Sequence, residues 1–189
     1  MNDDISVALK VVRVLELLEV PYLIGGSLAS STHGLTRATA NADILADLKG
    51  NHIDDFVEAL ETDFYVSKDS VVEAISRCSS FNLIDYATGF KVDIFTPKNR
   101  NFDRMQLSNR VQLAVSTDET AFFASPEDTV IAKLEWYRAG AEVSDRQWND
   151  ISGVIKMQGA NLNLEYMQER AKELGVSDLL DRVLEQAGD

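Results

Sequence analysis

One cysteine, Cys78, and three prolines are all that a chain of 189 residues contains of either type. A lone thiol excludes an intrachain disulfide and any cysteine-built zinc cage, so Cys78 is read as a packed or surface residue. The two histidines, His33 and His52, have no His or Cys partner at metal-ligand spacing and are read as surface or packing residues. Long apolar runs are missing too: none reaches about 18 residues, the length a membrane helix needs. No basic segment followed by an apolar one opens the chain. A soluble, unexported, cytoplasmic protein with no membrane partner is therefore expected. Positive charge is scarce, with 18 basic residues against 31 acidic ones and a formal net charge of −13. Extended DNA binding, which draws its affinity from Lys and Arg on phosphates, is excluded on that ground. A focal contact with an RNA end is still compatible, because a local basic cluster can outweigh the global charge.

What the chain does have is 45% hydrophobic residues, ample for a core, and no repeats or low-complexity tracts. Ile5, Ala8, Leu9, Val12, Leu15 and Leu18 recur at helical spacing and predict a first helix over about 4–18. Tyr22 to Ile24 reads as a short buried strand, 42–48 as a second, and Phe81 to Tyr86 with Phe90 to Phe95 as a hairpin. Asn51 and Asp69 are expected to cap two intervening helices. After a helix near 102–109 and a strand near 121–124, Ser125-Pro126-Glu127-Asp128 reads as a helix start, with Pro in the first turn and acids at the dipole's positive end. From there the chain reads as three or four helices, with Trp136 and Trp148 as anchors between them. The expected architecture is α/β (α+β): a mixed β-sheet flanked by helices over residues 1–124, and a C-terminal helical subdomain over residues 125–189.

Two segments carry chemistry. Gly25 and Gly26 permit a tight turn after the first strand, and Ser27 is placed to cap the helix that follows. The start of such a helix, with unsatisfied N–H groups and the positive end of the dipole, favours a phosphate. Asn41 and Asp43 are two apart on a strand and so share a face. With Asp93 from a second strand they form a set of oxygen ligands of the kind that holds hard cations for phosphoryl or nucleotidyl transfer. Arg37 is a candidate to neutralise a triphosphate or to pair with a surface acid. Asp47 lies on the Asp43 face but reads as a strand-end surface acid.

The ordered set Gly25-Gly26-Ser27, Arg37-Ala-Thr39, Asn41-Ala-Asp43 and Asp93 resembles the signature of the nucleotidyltransferase superfamily, the DNA polymerase beta-like fold. Within it the chain is most similar to minimal members, including the abortive-infection (AbiEii-type) toxins. The resemblance implies a nucleotidyltransferase that moves NMP from an NTP substrate to an acceptor hydroxyl on a tRNA end, a protein or a small molecule. It implies Mg²⁺ or Mn²⁺ held at Asn41, Asp43 and Asp93, catalysis by Asp43, Asp93 and Lys133, and nucleotide contacts from Gly25, Gly26, Ser27, Arg37 and Lys133. It also implies a functional Asp in the helical C-terminal part, falling on Asp145 or Asp150, and a helical part that closes over a nucleotide cleft. The family pattern has Asp where this chain has Asn41. That departure keeps a second class open: a catalytically inactive nucleotide- or partner-binding protein, or one component of a toxin–antitoxin pair with a partner protein.

Overall fold

The computed structural model describes residues 3–36 and 38–188. Its elements run α1 (Asp3–Leu17), β1 (Tyr22–Ile24), α2 (Gly26–His33), β2 (Asn41–Ala46), α3 (Ile53–Leu60), β3 (Phe64–Tyr65), α4 (Lys68–Arg77), β4 (Ser80–Asp85) and β5 (Lys91–Phe95). There follow α5 (Asn101–Asn109), β6 (Val111–Ala114), β7 (Thr120–Phe123), α6 (Pro126–Ala139), α7 (Asp145–Gln158), α8 (Leu164–Leu174) and α9 (Ser177–Gly188). The seven strands form one mixed sheet in the order β3-β4-β5-β2-β1-β7-β6. Among the described residues no helix is long and apolar enough to cross a membrane.

The chain divides into two compact units, one of residues 1–25 with 39–123 and the other of residues 26–38 with 124–189. The first holds the whole sheet. In it β2 lies antiparallel to β1 and parallel to β5, while β4 and β5 pair as the antiparallel hairpin. Period-two alternation sends Ala42, Ile44 and Ala46 of β2, Val92 and Ile94 of β5, and Phe81 and Leu83 of β4 into the core. Helix α1 packs against β2 and α4 against β4. Ala8, Leu9, Val12 and Leu15 are buried on the inner stripe of α1, each large one contributing about 1.5–3 kcal/mol by leaving water. The hairpin turn is locked by Asp85, which accepts from Lys10 Nζ at 2.8 Å and from the Thr88 hydroxyl and backbone N–H at 2.8 and 2.9 Å. Burial pushes this carboxyl up, but those donors outweigh it and hold it below the usual carboxylate range.

The second unit is helical. Helices α2, α6 and α7 pack together, with α8 and α9 against α6 and α7. Gly34, just past α2, lies so close to α7 that a Cβ there would come within 2.8 Å of the Val154 nitrogen. Ser125 caps α6 by accepting from the Asp128 N–H at 3.1 Å, with Pro126 in the first turn as the sequence predicts. Trp148 does anchor helices: its Nε1 donates to Gln186 at 2.9 Å and its ring lies 5.1 Å from that of Tyr137. Trp136 is instead more than half exposed.

Local expectations fail at four places. The cap of α4 is Ser67, which accepts from Ser70 N at 3.3 Å, so Asp69 lies inside the first turn. Asn51 falls in a short 3₁₀ turn and α3 begins after it. Ser27 is inside α2 and not its cap, because Gly26, at φ +54°, makes the turn that starts the helix. Strand β6 is absent from the sequence reading, since its four residues carry too short an alternation to announce a strand.

Asp128 gives the fold a testable pH signature. Its carboxyl is fully buried, with Tyr166 donating to one oxygen at 2.6 Å and, among the described residues, no hydrogen-bond donor on the other. Burial first, and then the neighbouring Glu127, raise it to about 6 despite opposing help from Tyr166, Ser125 and Arg170. A raised carboxyl is protonated in the folded chain while the unfolded chain has already lost its proton, so stability is lost as pH rises from about 4 through 6. Asp128→Asn, which keeps an acceptor for Tyr166, should remove that loss. Urea unfolding across pH 4–7.5 should show the variant gaining up to about 3 kcal/mol on the wild type; parallel pH profiles would contradict this account.

Candidate functional site

Strand pairing assembles the acidic site. In the parallel β2–β5 ladder Asn41 is opposite Lys91 and Asp43 opposite Asp93, on strands about 4.8 Å apart. All four side chains share the face opposite the buried Ala42, Ile44, Val92 and Ile94. The Asn41 amide donates to Asp43 Oδ1 at 2.9 Å and to Asp93 Oδ2 at 2.8 Å. The two carboxylate oxygens can therefore be no farther apart than the sum of those lengths. Lys91 Nζ lies 2.9 Å from the same Asp93 Oδ2. Asn82 of β4, exposed, is the antiparallel neighbour of Asp93 on this face. Behind the face, the Gly25 N–H donates to the Asp43 carbonyl at 2.8 Å, which ties the end of β1 to the middle of β2.

This donor set fits one hard divalent cation: two carboxylates on adjacent strands, to which Asn41 adds Oδ1 if its amide turns over. Among the described residues no group of three or more His, Cys, Asp or Glu is placed to hold a metal. Asp47 pairs with Lys49 at 2.6 Å beyond the strand end.

The remaining predicted residues lie in the helical unit or outside the description. Gly26 and Ser27 open α2. Arg37 falls outside the described residues. Lys133, on α6, pairs with Asp150 of α7 at 2.9 Å, their side chains only 9% and 7% exposed. Asp150 is thus the acid that meets Lys133, while Asp145 is exposed at the first position of α7. His33 is a packing residue whose Nε2 meets the Ala124 carbonyl at 2.7 Å, with burial lowering its pKa. Lys91 is the residue that the sequence reading missed. Its signal was present, since it stands two before Asp93 on an alternating strand and so shares its face.

No protein-family model matches the chain, and no curated protein matches it in sequence. Solved structures match it in fold. An antigenic nucleotidyltransferase-like protein from Paracoccidioides brasiliensis aligns with a TM-score of 0.61 and 18% identity over 98% of this chain and 92% of that one. The antibiotic-resistance factor ANT(2'')-Ia aligns in its solution structure with a TM-score of 0.58 and 12% identity over 96% of both chains. The crystal structure of ANT(2'')-Ia with adenylyl-2''-tobramycin aligns at 0.60 and 12% identity, over 91% of this chain and 97% of that one. The mixed seven-stranded sheet with its helices therefore has the fold seen in these solved nucleotidyltransferase structures.

The Lys133–Asp150 pair yields a stability prediction inside the helical unit. Lys133→Met removes the ammonium from a buried carboxylate and should cost about 3 kcal/mol in urea unfolding. Lys133→Met with Asp150→Leu should recover most of that loss, because both charges are then gone. A loss under about 0.5 kcal/mol for Lys133→Met would mean that the pair behaves as a solvated surface contact.

Proposed function

We propose that the chain is a nucleotidyltransferase that moves NMP from an NTP to an acceptor hydroxyl with Mg²⁺ or Mn²⁺. The observation that carries this reading is the juxtaposition of Asn41, Asp43 and Asp93 on adjacent strands of a nucleotidyltransferase fold. Asp43 and Asp93 hold the divalent ion, and Asn41 bridges them. When bound, the ion supplies charge neutralisation for the triphosphate and for the leaving pyrophosphate. Asp43 and Asp93 already accept from the Asn41 amide, and one of them would receive the proton of an incoming hydroxyl. Gly26 and Ser27 contribute the N-terminal N–H groups of α2, a natural phosphate cradle. Lys133, oriented by Asp150, and Arg37 are the proposed charge neutralisers.

Among tRNA, protein and small-molecule acceptors, the net charge of −13 favours a small molecule, above all a cationic one, over an RNA. The adenylyl-2''-tobramycin complex of ANT(2'')-Ia supports the same class. A second reading, nucleotide binding without transfer, is favoured by the neutral Asn41, which brings no charge to the cation.

Transfer of label from each α-labelled NTP to tRNA, to the protein itself and to a panel of hydroxyl-bearing small molecules tests the proposal. Label should reach a small molecule. Asn41→Asp should raise turnover by on the order of 10²-fold, about 3 kcal/mol of barrier, and Asp43→Asn should abolish it. Transfer that is indifferent to both substitutions would remove this strand face from the chemistry, and no transfer by any form would favour the binding reading.

A further inference from the structure

We infer that Lys91 is a built-in cation that pairs with a carboxylate oxygen a second metal ion would need, so that Asp43 and Asp93 together take at most one divalent ion. This rests on the nucleotidyl-transfer reading only in regarding the cation as the companion of an NTP. Lys91 Nζ and the Asn41 amide converge on one atom, Asp93 Oδ2, at 2.9 and 2.8 Å. The amide hydrogen bond takes one lone-pair direction of that oxygen and the ammonium stands beside the same atom as an ion pair, so a further cation approaching it meets both. The arrangement is set by the backbone: Lys91 shares the face of Asp93 by alternation and is the cross-strand partner of Asn41 in the parallel ladder.

Charge leads to the same conclusion. Where the family pattern brings a third carboxylate the chain has an amide, and beside it stands an ammonium, so Asn41, Asp43, Lys91 and Asp93 together carry one negative charge. One dication is compatible with that balance. Two would repel each other and the ammonium across a few ångströms, with too little negative charge to offset them. Lys91 thus lowers the affinity for the ion that does bind and excludes the next one.

Titration with Mn²⁺ alone, read by the electron paramagnetic resonance of the free ion, tests this on the full chain without nucleotide. Ions still bound by Asp43→Asn are subtracted as surface binding. The wild type should take one ion. Lys91→Gln should take one about tenfold more tightly, Lys91→Arg should match the wild type, and Lys91→Gln with Asn41→Asp should take two. Lys91 is 45% exposed, and matching thermal unfolding curves would verify that each variant is folded. The inference is overturned if the wild type binds two ions at this face. It is also overturned if Lys91→Gln changes neither affinity nor count in either background, or if no form binds Mn²⁺ there. With no nucleotide present, failure to transfer NMP leaves this result standing. Conversely, an active enzyme with a two-ion wild-type site overturns the role of Lys91 alone.

Discussion

The parallel register between β2 and β5 is the constraint on which the acidic site depends. Pairing Asp43 with Asp93 places two carboxylates side by side on one face, while the intervening Ala42, Ile44, Val92 and Ile94 fill the core behind them. A slip of one residue would bury the acids and expose the aliphatic residues, so the hydrophobic core enforces the alignment of the chemistry. Flanking pairs hold the same register. Antiparallel β1 on one side and β4 on the other clamp β2 and β5, and the Gly25 N–H on the Asp43 carbonyl adds a further tie.

Within that frame the character of the site is decided by charge. Two like charges this close are costly unless something positive or hydrogen-bonding stands between them. Here the Asn41 amide stands between them, and the Lys91 ammonium pairs with Asp93. An Asp at position 41 would add to the repulsion and demand a cation; Asn41 relieves it. The same substitution that stabilises the site without a metal therefore weakens its claim on one.

Much of this was legible in the sequence, because alternation over β2, β4 and β5 is strong and fixes which residues share a face. The Ser125-Pro126 start of α6 was equally clear, since capping chemistry is local. What was not legible depended on contacts far apart in the chain. The segment 26–38 belongs with the helices after residue 124, an association that no local pattern encodes, although the close approach of Gly34 to Val154 requires a glycine there. Ser27 was misplaced by one step because the left-handed turn at Gly26 is a property of the folded backbone. The pairing of Lys133 with Asp150 and not Asp145 follows from the packing of α7 on α6, whereas in sequence the two acids are equivalent candidates.

The central claim is that the Asn41, Asp43 and Asp93 face receives the metal ion that accompanies an NTP. Paramagnetic broadening of amide resonances, with Mn²⁺ and a non-hydrolysable NTP added to the isotope-labelled chain, tests it most directly. The account predicts that the strongest broadening centres on residues 41–43 and 91–93, and that Asp43→Asn removes it. Broadening centred elsewhere, and indifferent to Asp43→Asn, would contradict it.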